Sequence, residues 1–281
     1  MSSVSPPPIS TAVVLDPGTL DTQAATKATL TLHTTVLDLS GVSFVKPGGV
    51  ATLASLIDAY CRMGYSLHVV PPDDRNARNY LARVHFPHFL DEVGCTHSFP
   101  TVRENDLGHD LVPLTRMTSG RDANALGEAA LAFAGVHDEA AGQALCRAIG
   151  EAGENVSLHS GSPSGFVAAQ RFPANSHFEF AVADAGYGLL TTLRGSGATD
   201  HQTAIDLALT AGVSATQQSN RGFGLSTIKE SVADSLGGTL SLLTGDTLSH
   251  LNSVARSATR VINPYQGTVV YARFRGHRRR R

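Results

Sequence analysis

Residues 178–188 read FEFAVADAGYG, an apolar run that closes on Asp184, Gly186 and Gly188. Its first five residues have the length and composition of a buried strand. A carboxylate at a strand end can accept a hydrogen bond from an exocyclic amine. Glycines after it let the backbone approach a planar ring or enter positive φ. Taken alone, the pattern also fits an ordinary turn. Upstream, residues 138–159 place Ala141, Leu145, Ala148 and Ile149 towards one side of a helix. On that helix Glu151 and Asn155 are four residues apart and share a face, with His159 one turn further on. Such a pair can hold a water and a metal side by side. Magnesium keeps most of its waters and takes few protein oxygens, so one Asn carbonyl with phosphate oxygens suffices. Glu151 is then placed to orient or deprotonate a nucleophile. An exposed polar helix face would carry the same residues. Downstream, Gly222, Phe223, Gly224 and Leu225 open a helix expected over 224–236, and free amides at a helix start suit a polyphosphate.

In this order the three clusters resemble the N, G1 and G2 boxes of the GHKL superfamily, which includes sensor histidine kinases, anti-sigma serine kinases, gyrase-type topoisomerases and mismatch-repair ATPases. The resemblance covers roughly residues 123–274 and is closest in style to the anti-sigma serine kinases. Gly267 and Thr268 look like the family's late Gly-Thr on a strand beside the adenine. What the resemblance implies is a Bergerat-type α/β sandwich over 121–275 that binds ATP and Mg²⁺. Asn155 would help bind the metal, Glu151 would be the catalytic carboxylate and Asp184 would read the adenine amine. Gly186 and Gly188 would shape the pocket floor, Gly222 and Gly224 would border the phosphates, Thr268 would lie at the adenine, and 190–220 would form a mobile lid. Gly153 departs from the family pattern: inside a helix glycine costs about 1 kcal/mol relative to alanine. Glu154 points about 100° away from Asn155. No GxxxxGK[ST] stretch occurs, which excludes a P-loop.

The N-terminal half carries a strand–helix–strand pattern. Strands are expected over 28–33 and 36–39, a helix with Leu53, Leu56, Ile57 and Tyr60 at helical spacing over 49–63, and a strand over 67–70. A further helix is expected over 75–84. The stretch with Leu37, Asp38, Leu39, Ser40, Gly41, Val42, Phe44 and the helix-opening Gly49 resembles a STAS domain of the anti-sigma-antagonist type, covering about 28–93. Phosphorylatable members open that helix with a hydroxyl-bearing turn. Here the positions read Lys46, Pro47, Gly48 and Gly49, so the resemblance implies a docking or scaffold domain that is not switched by phosphate there. A plain α/β cap is the alternative. Residues 1–27 are expected to be a flexible N-terminus, 94–120 a linker and 276–281 a basic tail.

Hydrophobic residues at 42% and charged residues at 16% suit a globular fold. A net charge of −2 gives no global drive towards nucleic acid or anionic membrane. The three cysteines, in no CxxC spacing, argue against a disulfide framework or structural zinc. No apolar run is long enough to span a membrane and no signal-peptide order is present, so a cytoplasmic location is expected. His85 and His88 lack a second ligand pair. Two functions follow as expectations: a GHKL ATPase or serine-kinase-like phosphotransferase, or an ATP-dependent switch without turnover. Either would act on a protein partner, and a homodimer is an open option.

Overall fold

The computed structural model describes residues 27–31, 34–100, 110–210 and 224–276. The N-terminal half runs β1 (Lys27–Thr31), β2 (Thr34–Asp38), α1 (Pro47–Arg62), β3 (Ser66–Val70), α2 (Arg75–Arg83), α3 (Phe86–Glu92) and β4 (Thr96–His97). Its four-stranded sheet has the order β1-β2-β3-β4, with β1 antiparallel to β2 and the other pairs parallel. Parallel neighbours need a crossover, and α1 supplies one while α2 and α3 supply the other. Asp74 caps α2 by accepting the Ala77 N–H at 2.8 Å. Pro87 lies in the first turn of the short helix α3, where it forfeits no helical hydrogen bond.

The C-terminal half runs β5 (Leu111–Met117), α4 (Gly120–Gly135), α5 (Glu139–His159), β6 (Gly165–Phe172), β7 (His177–Asp184), α6 (Gly188–Leu193), α7 (His201–Ala208), α8 (Gly224–Lys229), β8 (Thr239–Leu251) and β9 (Arg256–Arg275). Five antiparallel strands form a sheet in the order β5-β6-β7-β9-β8. The chain is thus a mixed α/β protein with two sheets. The segment expected as a linker holds β4 of one sheet and β5 of the other. Strands β8 and β9 pair along a long arm. The β9 residues Arg256 to Arg260 along it are exposed, so no apolar alternation announces it. No described helix is long and apolar enough to cross a membrane.

Both faces of the five-stranded sheet are covered. Side chains alternate across a strand. On β7, Phe178, Phe180 and Val182 meet α4, α5 and α8, while Ala181 and Ala183 meet α1. All eight β7 positions are buried, so apolar residues fill both of its faces from Phe180 to Ala183, and the buried His177, Glu179 and Asp184 each carry polar partners. Helices α4 and α5 approach closely through small residues: a Cβ on Gly127 would lie 2.9 Å from the Cys146 carbonyl oxygen, and one on Gly142 2.8 Å from the Gly135 nitrogen. Gly153 has the same origin. A Cβ there would collide with that of Ala123 and sit 3.2 Å from Met117 Sδ.

Helix α1 lies between the two sheets and is buried from Pro47 to Tyr60. Its apolar residues Leu53, Leu56, Ile57 and Tyr60 join one core with residues of both halves, including Phe166, Tyr265 and Tyr271. Its polar residues Ser55 and Asp58, three apart on one face, bond to the C-terminal half. Asp58 accepts from Ser164 Oγ at 2.7 Å, from Arg62 Nε at 2.9 Å and from Arg116. At the start of α1, Lys46 Nζ lies 3.6 Å from the buried Glu179, which also takes His177 Nε2 at 3.1 Å.

Candidate functional site

Asp184 ends β7 opposite Thr268 of β9. Its side chain is buried and accepts the Gly186 N–H at 2.8 Å and a second backbone N–H from Thr268. Burial pushes its carboxyl up to about 7, against the pull of those two N–H groups. Gly186 rests on the Ser160 carbonyl with no space for a Cβ. Gly188 has φ +72°, and a Cβ there would lie 2.9 Å from Thr244 Oγ1 and 3.1 Å from the Gly267 carbonyl oxygen. Gly267 has φ +113°, and a Cβ on it would overlap the Asp184 carbonyl. Only glycine accommodates both the backbone angle and the contact at these two positions. Thr244 ties the pieces by accepting the Leu189 N–H at 3.1 Å and donating to the Gly267 carbonyl at 2.9 Å.

Glu151 and Asn155 are half-buried on one face of α5. Gly224, at the start of α8, sits against both: a Cβ there would come 2.8 Å from Asn155 Nδ2 and 3.3 Å from Glu151 Oε2. Desolvation first, and then the charge of Glu154, raise the pKa of Glu151, the direction a general base needs. Glu154 itself is exposed. The end of α5 reaches the Asp184 turn, since the Ser160 carbonyl accepts the Tyr187 N–H at 2.6 Å while the Ser160 N–H donates back to the Asn155 carbonyl at 3.2 Å. One backbone corner therefore joins the Asn155 helix to the Asp184 loop.

Gly222 lies outside the described residues, as do residues 211–220 of the expected lid. The rest of that segment begins within α6 and includes α7. A cavity of about 170 Å³ lined by Met117, Ser119, Gly153, Val156 and Ser162 opens at the junction of α4 and α5, and none of the predicted site residues among those described lines it. His88 pairs with Glu92 at 3.2 Å on the surface.

Three groups at the site have no sequence signal. Tyr265, fully buried on β9, donates its hydroxyl to the Asp184 carbonyl at 2.7 Å. Ser55 Oγ of α1 lies 2.7 Å from that same hydroxyl. Ser160 receives the Asp184 loop as described. Each role is made by contacts between distant parts of the chain, which spacing does not reveal. Burial raises the Tyr265 pKa, so its proton is held and available for donation.

The chain matches no protein-family model. Over 101 residues it is 34% identical to solute carrier family 26 member 9 of Homo sapiens, covering 36% of this chain and 12% of that protein. The chain thus spans only a small part of that carrier's length.

Proposed function

We propose that the C-terminal half binds ATP with magnesium in a GHKL-type pocket built by α5, the Asp184 loop, β9 and the start of α8. The observation that carries this is the approach of Gly224 to the Asn155 and Glu151 side chains, on a helix whose last turn holds the Asp184 loop. Asp184 would accept from the adenine amine, with Thr268 and Gly186 fixing its carboxylate. Gly186 and Gly188 let the loop pack tightly on Ser160, Thr244 and Gly267, which would set the shape of the pocket floor. The donor set fits magnesium. Asn155 offers one neutral oxygen beside a half-buried carboxylate, and phosphate and water would complete the shell. Bound there, the ion would neutralise charge on the transferring phosphoryl group. Glu151, its pKa raised by burial, would take the proton of the attacking water or hydroxyl. Gly153 counts less against turnover than its helix propensity suggests, because close contact with Ala123 accounts for it.

The N-terminal half is read as a STAS-like docking domain, favoured by its β2–α1–β3 unit and by the partial likeness to the human solute carrier. Lys46 is half-buried, the helix opening Pro47, Gly48 and Gly49 is buried, and none of the four carries a hydroxyl, so phosphorylation would not act there. A protein partner and a cytoplasmic setting belong to the same proposal. A second reading, an ATP-dependent switch without turnover, is favoured by the burial of α1 against the nucleotide half.

Nucleotide binding is tested by titration calorimetry with Mg-ATP. The wild type should bind, and Asp184→Ala should lose affinity while keeping a cooperative melt. Unchanged affinity in that variant would defeat the adenine assignment. Phosphate release by wild type and Glu151→Ala separates the two readings. A drop of about 10²-fold or more supports the general base, and equal rates leave the switch.

A further inference from the structure

Three oxygens in series connect the two halves at the Asp184 loop. Ser55 Oγ is 2.7 Å from the Tyr265 hydroxyl, and that hydroxyl is 2.7 Å from the Asp184 carbonyl oxygen. Ser55 Oγ also lies 2.8 Å from the Thr52 carbonyl of its own helix. Two protons serve three contacts. A carbonyl has no proton to give, so at this contact the Asp184 oxygen accepts and Tyr265 donates. Tyr265 is then left as an acceptor, and Ser55 must donate to it to avoid opposing lone pairs. The Thr52 carbonyl loses little by this order because it lies inside a regular helix and receives a helical N–H. Ser55 and Tyr265 are almost wholly buried, so water does not substitute for either partner, and leaving a buried acceptor unpaired is costly.

Asp184 is thus held on two sides. Gly186 and Thr268 fix its carboxylate, and Tyr265 fixes its carbonyl, against which Gly267 leaves no slack. We propose that α1 of the N-terminal half is a positioning element of the base pocket: Ser55 orients Tyr265, and Tyr265 holds the Asp184 backbone in the geometry that reads adenine. This rests on the nucleotide-binding reading above and adds its regulation. A partner that draws α1 away from the sheet lowers nucleotide affinity, and by reciprocity nucleotide tightens α1 onto the sheet.

The test is titration of full-length wild type, Ser55→Ala and Tyr265→Phe with Mg-ATP and Mg-GTP, with melting curves for each. Both variants should bind ATP about fivefold to tenfold more weakly, as loss of one hydrogen bond predicts. GTP affinity should not fall in step, because guanine offers no amine at that position. ATP should slow hydrogen exchange of α1 amides in the wild type and do so less in Tyr265→Phe. Equal ATP affinity in both folded variants overturns the proposal, and so does a parallel loss for ATP and GTP, which a merely structural role would give. Should Tyr265→Phe fail to fold, Ser55→Ala, which removes a single oxygen, decides. A wild type that binds no Mg-ATP would instead refute the nucleotide-binding reading itself.

Discussion

The two faces of the five-stranded sheet are covered in different ways. Towards α4 and α5 the sheet presents Phe178, Phe180, Val182, Val270 and Phe274, and the helices answer with alanine, leucine and isoleucine. Nothing in that contact depends on direction beyond shape. Towards α1 the central strand presents Glu179, Ala181 and Ala183, the two alanines let the helix lie close, and hydroxyls and charges position it: Ser55 on Tyr265, Asp58 on Ser164 and Arg116, Lys46 on Glu179. Apolar burial scales with area and tolerates sliding. Paired buried polar groups hold one register, and they become costly when a partner leaves. The first face supplies bulk stability and the second transmits position.

That difference has measurable consequences. Phe180→Ala empties a fully buried site on the α5 face and should cost about 3–5 kcal/mol in urea unfolding. Asp58→Ala on the α1 face should cost less, about 2 kcal/mol, because Arg62 and Arg116 are partly exposed and regain water when the carboxylate goes. The two should also differ in kind. Hydrogen exchange should speed up along α1 in Asp58→Ala before the sheet opens, whereas Phe180→Ala should loosen the whole C-terminal half. An Asp58→Ala cost equal to that of Phe180→Ala, with no selective change at α1, would erase the distinction between the faces.

Legibility from sequence followed the same division. Helix α5 was readable because it puts apolar residues at a regular period over a long stretch, and strand β7 because apolar residues crowd positions 178–183. Strand β5 was hidden because Pro113, Thr115 and Arg116 interrupt its apolar pattern, and α3 because it has only seven residues. The burial of α1 could not be read. Thr52, Ser55 and Asp58 suggest a solvated face, and only the second sheet, brought up by chain far downstream, turns that stripe into a contact surface. At the site, the structure brings Glu151 and Asn155, picked out by their spacing, to Gly224, and sets Asp184 and Gly186, picked out by their place after an apolar run, beside Thr268, which only the family resemblance had singled out. The Tyr265 and Ser160 contacts were invisible because hydrogen bonding across the fold creates them. Gly153 was noticed for a helix-propensity defect, and its cause is a neighbour, Ala123.

Gly153→Ala isolates that last point on the shape-dependent face. Propensity alone predicts a gain of about 1 kcal/mol. The added methyl, however, would meet Ala123 Cβ, and Met117 Sδ at 3.2 Å. Ala123 is part of α4 and does not swing aside like a flexible side-chain end, so a net loss of about 1–2 kcal/mol is expected. Phosphate release, if the wild type shows any, should fall with it, since α5 carries Glu151 and Asn155. A more stable Gly153→Ala protein would mean that α4 and α5 separate more easily than their small residues imply.

The smallest effect concerns pH and joins both faces at Asp184. Its carboxyl titrates near 7 when folded and near 3.9 in an unfolded chain. A raised folded value means that its stabilising contribution is fully present below about pH 4 and is lost as pH rises through 7. Between pH 6 and pH 7 the ligand-free wild type should therefore lose about 1 kcal/mol more stability than Asp184→Asn, which has no proton to release. Adenine binding should run the other way, because the ionised carboxylate is the better acceptor for the amine, so ATP affinity should rise over the same interval. Unfolding and titration at the two pH values check both slopes. If stability and affinity moved together in the wild type, or if Asp184→Asn kept the pH dependence, some other group would be titrating. The buried carboxylate would then be fixed in one state by the N–H groups of Gly186 and Thr268, with the Tyr265 contact holding only its backbone.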